Sequence, residues 1–150
     1  MKIRNLILGL LLIFFNSSCY HSFDNKTLHW IKNNCNQNKD CILNINDLTD
    51  FKWDKSYVFG ATASENINRV LGFNYPYYRE FSTLIMFLKN NEIVYHQEID
   101  SNIEKVDNNE IVFIGNDSIN YVSITHQNER FKVQVDSTED GVYYKLIQLN

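Results

Sequence analysis

Glycine and proline are scarce in this chain: five Gly and one Pro in 150 residues. So few glycines leave no phosphate-cradling loop and no Gly-x-Ser-x-Gly nucleophile turn. No apolar run approaches the roughly 20 residues that a membrane-spanning helix needs. There is no repeat, no low-complexity tract and no block of like charge. No His/Cys/Asp cluster has the spacing of a metal site, so no metal or other cofactor is expected. Basic residues are not in excess either, which removes the electrostatic reason to bind nucleic acid.

What is present begins with an export signal. Lys2 and Arg4 form a short positive region, and Leu6 to Phe15 is an unbroken apolar run of ten residues. A basic start, a short apolar core and small residues after it make a secretory signal peptide over 1–18. Asn16-Ser17-Ser18-Cys19 then resembles the lipobox of bacterial lipoproteins, in which the cysteine is lipidated and becomes the first mature residue. Ser17 and Ser18 fit; Asn16 departs from the apolar residue usual there, so ordinary cleavage near the same place stays open. The resemblance implies a membrane tether on Cys19, with the globular part periplasmic or extracellular. If the envelope has two membranes, Tyr20 rather than Asp after the cysteine implies sorting to the outer one. Without Lys2 and Arg4, 12 basic residues face 18 acidic ones, a net charge of −6.

With Cys19 set aside, Cys35 and Cys41 remain as a pair across a polar loop. Export to an oxidising compartment favours a disulfide between them. Two unpaired thiols are the alternative.

Residues 19–26 read as a tether and 27–150 as one domain. Asp24 or Asn25 is expected to cap a short helix whose apolar stripe is Leu28, Trp30 and Ile31. Cys41 to Ile45 and Phe51 to Phe59 are strand candidates. Thr62-Ala63-Ser64-Glu65 fits a capping box at the head of a helix from about Ala63 to Leu71, with Gly72 as its left-handed stop. After residue 80 the apolar period becomes that of strands, with an Asn-Asn hairpin at Lys89 to Glu92. Six strands are expected there, and because every link is short the sheet is expected to be antiparallel. The predicted fold class is α+β: an antiparallel sheet of about six strands with two short helices.

Chemistry is hard to find. Nucleophilic catalysis needs Ser or Cys beside a base oriented by an acid. His21, His29, His96 and His126 have no such context and read as solvated or hydrogen-bonded side chains. Acidic pairs such as Glu98 and Asp100 lie in polar surroundings, where nothing raises a carboxyl pKa. Two features remain. Trp53-Asp54 with Tyr57 is either a ligand platform or core packing with a turn-closing acid. Tyr75, Tyr77, Tyr78 and Arg79 form a Tyr-rich loop around the lone Pro76, a composition that recurs at protein interfaces; the alternative is a cover over the helix–sheet junction.

The segment from Ile45 to Phe73, INDLTDFKWDKSYVFGATASENINRVLGF, resembles a recurring pattern in small exported bacterial proteins, many with lipoprotein-type signals. Its marks are Trp-Asp-Lys at the head of an aromatic strand, then Ser-Glu opening a helix that closes on Leu-Gly. The group carries no assigned activity, so the resemblance implies no catalytic residue.

These observations point to a non-enzymatic envelope lipoprotein, with the membrane bound through Cys19 and a protein as partner. An inhibitor or immunity protein against a toxin or wall-degrading enzyme is a narrower form of that reading, and an enzyme of unrecognised class is the alternative. Oligomeric state is not legible.

Overall fold

The computed structural model describes residues 22–35, 41–100, 108–115, 121–139 and 141–150. The signal peptide and Cys19 lie outside the described residues.

The fold is α+β, with two α-helices, a short 3-10 turn (Ile45–Leu48) and eight strands among the described residues. In chain order they are α1 (Phe23–Asn34), β1 (Cys41–Asn44), β2 (Lys55–Phe59), α2 (Ser64–Leu71), β3 (Ser82–Lys89) and β4 (Glu92–Asp100). β5 (Ile111–Ile114), β6 (Tyr121–Thr125), β7 (Arg130–Thr138) and β8 (Gly141–Gln148) follow. They form two four-stranded sheets, ordered β1-β7-β8-β5 and β4-β3-β2-β6. Two sheets replace the one expected, because β1 pairs with β7 while β2 pairs with β3 and β6, and no pairing joins the two sets.

One pairing departs from the expected antiparallel pattern: β5 runs parallel to β8. Parallel strands need a long return path, commonly a helix. Here β6 and β7 themselves make up that path. Short links between successive strands therefore did not forbid a parallel pair between distant ones.

The main core lies between the sheets. Leu43, Val58, Ile85, Phe87, Val122, Ile124, Phe131, Val133 and Leu146 fill it, with Phe23 and Ile31 of α1. A second core lies on the other face of the β4-β3-β2-β6 sheet, where Tyr57, Phe59, Leu84, Met86 and Leu88 meet Ile67 of α2 and Tyr75. Burial on both faces explains why β3 reads as a continuous apolar run, LIMFL, rather than an alternation. Phe87 is fully buried and has Phe23, Phe51 and Trp53 around it at 5.1, 5.4 and 5.4 Å between ring centroids.

A β-bulge sits in the β3–β4 pair. Phe87 opposes Tyr95 and Leu88 opposes Ile93, leaving Val94 as the extra residue. Ile93 and Tyr95 would otherwise share a face. The bulge turns Ile93 to the second core and Tyr95 to the main one.

The helix termini differ from expectation. α1 starts at Phe23, inside the stretch read as tether, and Phe23 is buried at 3% exposure. Neither Asp24 nor Asn25 caps it. The Phe23 amide instead donates to the Tyr95 hydroxyl and to Gln97 Oε1, both at 2.9 Å. Gln97 Nε2 returns a bond to Asp24 Oδ1 at 2.5 Å. The cap is thus supplied by β4, some seventy residues away in sequence. α2 also lacks its expected capping box. Its N-cap is Ala63, without a side-chain cap bond. Thr62 lies one residue too early; its hydroxyl accepts from Asn66 Nδ2 and its carbonyl from the Tyr78 hydroxyl. Gly72 ends α2 at φ 76°, where a side chain is disfavoured.

Cys35 and Cys41 form a disulfide, Cα atoms 5.3 Å apart, joining the end of α1 to the start of β1. A loop this short restricts little unfolded-chain entropy, so its contribution is about 2 kcal/mol.

Two substitutions test this packing in opposite directions. Phe87→Ala should cost about 3–5 kcal/mol in denaturant unfolding, the range for buried aromatic truncations. Ser56 is fully buried and its hydroxyl has no hydrogen-bond partner among the described residues. Ser56→Ala should therefore be neutral or stabilising by about 1 kcal/mol; a clear loss would show that the hydroxyl is satisfied after all.

Candidate protein-contact surface

Trp53 and Asp54 are taken up by the fold. Trp53 is 3% exposed, and its indole donates to Thr49 Oγ1 at 3.2 Å. Asp54 accepts from Lys89 Nζ at 2.6 Å and from the Asn90 amide at 2.8 Å. These two bonds hold its carboxyl below the usual carboxylate range, the Lys89 bond most. They also close the β3–β4 turn, where Asn90 and Asn91 both have positive φ. Tyr57 belongs to the second core. Glu65 is exposed on α2.

His126 serves the same region. Its Nε2 lies 2.9 Å from the Trp53 carbonyl and its Nδ1 2.9 Å from Glu129 Oε2. Its ring packs 4.4 Å from the Trp53 ring. Both nitrogens face acceptors, so the imidazolium is favoured and the pKa is raised, by the Glu129 bond first and the Trp53 carbonyl second. The β6–β7 turn is thereby fastened to the strand that Trp53 leads into.

The Tyr-rich loop is divided by the structure. Tyr75 is not a surface residue: it is 4% exposed in the second core. Its hydroxyl donates to Glu98 Oε1 at 3.3 Å and lies 2.9 Å from His96 Nδ1. Burial, then the charge of Glu98, raises its pKa, so it stays a neutral phenol. Tyr78 is half-buried over α2. Tyr77 remains outside, 59% exposed, its ring stacked on His96 at 5.0 Å. Arg79 bonds Asp100 Oδ1 at 2.5 Å and lies 3.7 Å from Glu98 Oε2.

These side chains converge for a reason of register. His96, Glu98 and Asp100 alternate along one face of β4, opposite Met86, Leu84 and Ser82. The bulge at Val94 assigns them to the second-core face, beneath the loop. Tyr75 buried between Asn68 (which accepts its amide at 2.8 Å) and Glu98 pins that loop down.

Phe81 joins the same edge and was missed in the sequence. It is 60% exposed and has φ 55°. An aromatic residue in left-handed conformation is an outlier, and such strain clusters at functional positions. Its only sequence signal is a lone Phe between Glu80 and Ser82. Tyr77 and Phe81 are the two most exposed large hydrophobic side chains among the described residues, and they flank Arg79.

The surface offers aromatic area and paired charges, which suit recognition. Among the described residues, no group of three His, Cys, Asp or Glu is placed to hold a metal ion. A separate cavity of about 170 Å³ lies between α1, β3, β4 and β5. The Asp24 and Asp100 carboxylates at its rim are already engaged by Gln97 and Arg79. No protein-family model, curated protein or solved structure matches this chain.

The His126 bonds give a pH dependence with a definite sign. A pKa raised above the ordinary 6.5 contributes stability that is full below that pH and fades as pH rises through the folded value. The difference in Tm between the natural chain and His126→Gln should therefore shrink as pH rises above about 6.5, the ordinary histidine value, and through the raised folded one. A constant difference would assign the effect to packing on Trp53 alone.

Proposed function

We propose that this chain is a lipid-anchored envelope protein that works by binding another protein rather than by catalysis. The anchor is Cys19, and the globular part faces the periplasm or exterior, from the outer membrane where there are two. The observation that carries the binding role is the exposed pair Tyr77 and Phe81 about the Arg79–Asp100 ion pair. Aromatic residues and Arg are the side chains that dominate binding energy at protein interfaces. Displaying Phe81 at positive φ costs of order 1–3 kcal/mol, so its exposed ring is held at the expense of stability.

Acyl labelling tests the anchor: Cys19→Ala should abolish incorporation, and unchanged labelling would refute it. Phe81→Gly tests the surface. It should leave the Tm equal or higher, since glycine tolerates this φ, while lowering recovery of partner from envelope extracts at least tenfold together with Tyr77→Ala. Recovery that persists in the double variant would move the contact elsewhere.

A further inference from the structure

We infer that the partner of the Tyr77–Phe81 surface is a protein held in the same membrane as the anchor, and that it is met side by side with that membrane. The inference rests on the anchoring proposed above. Three residues, Tyr20 to Ser22, separate Cys19 from Phe23. Fully extended, four residue steps span at most about 14 Å. A body of about 130 residues has a radius of gyration of about 14 Å, so the link is shorter than the body is wide.

The link cannot lengthen by unwinding α1. Phe23 is buried in the main core, and its amide is held by Tyr95 and Gln97. The exit point is therefore fixed on β4. Gln97 lies between His96 and Glu98, the two β4 residues beneath Tyr77 and Arg79. The residue that holds the exit point and those beneath the contact surface are thus neighbours on β4, on its opposite faces. The body cannot tumble freely, and this edge stays close to the bilayer.

The bilayer itself is a poor occupant. Asp24 lies at the exit point and Glu98 and Asp100 at the contact surface on the other face of β4, and the mature chain carries a net charge of −6, which anionic headgroups repel. Arg79 is already paired with acids of its own chain. Aromatic rings beside charges of both signs match a protein surface. A diffusing partner gains nothing from so short a link. A partner confined to the membrane does, through effective concentration.

The test uses the full chain in its own membranes, with a photoactivatable phenylalanine at Tyr77, or at Val135 on the other sheet as control. A second version carries twenty Gly/Ser residues inserted after His21. A sixfold longer link should lower effective concentration about 15-fold, by the −3/2 power of its length. Expected is a Tyr77-dependent adduct with a protein that stays with the membranes after a high-salt wash, its yield falling about tenfold or more in the long-link version. An adduct with phospholipid, an adduct with a protein released by the wash, a yield indifferent to link length, or no adduct at Tyr77 overturns the inference. Acyl labelling of the same chains separates the two failures: no label on Cys19 removes the anchoring first, and the inference with it.

Discussion

The burial of β3 on both faces is the constraint on which the rest depends. Ile85 and Phe87 point into the space between the sheets, while Leu84, Met86 and Leu88 point the other way, under α2 and the Tyr-rich loop. A strand with no solvated face must be covered twice. One cover is the β1-β7-β8-β5 sheet with α1, and the other is α2 with Tyr75. Phe87, ringed by Phe23, Phe51 and Trp53, ties the start of α1 and the lead into β2 to the same point. The segment from Phe51 to Gly72 is thereby scaffold: it brings aromatic weight to both cores and delivers the loop that follows.

β4 translates that packing into a surface. Its inner face holds Tyr95 and Gln97, which cap α1; its outer face holds His96, Glu98 and Asp100, which hold the loop. A single extra residue, Val94, decides which side chains go to which face. Without it the five positions from His96 on would exchange sides, since the strand period is two. The bulge is thus the local device that sets both the capping of α1 and the makeup of the exposed edge.

Much of the fold was legible because it rests on short-range physics. Alternation in β7, the Asn-Asn turn, the stop at Gly72 and the Cys35–Cys41 spacing each act over a few residues. The signals that misled were also local. Thr62 and Glu65 have the spacing of a capping box, but Tyr78 and Asn66 claim the Thr62 oxygens. Asp24 has the chemistry of a cap, but Gln97 takes that place from another element. Tyr75, Tyr77 and Tyr78 are alike in sequence, yet only the middle one faces water, because Asn68, Glu98 and Thr62 bind the other two.

The sequence by itself determined the class of fold, the helix and strand material, the disulfide pair and the composition of the loop, since these follow from periodicity, turn chemistry and residue type. Tertiary structure alone decided that there are two sheets, that β5 and β8 run parallel, that α1 is capped from β4, and that Phe81 stands exposed at positive φ. The physical reason is range. Hydrogen bonds and burial between residues tens of positions apart depend on which strands meet, and one chain's local pattern is compatible with several such meetings.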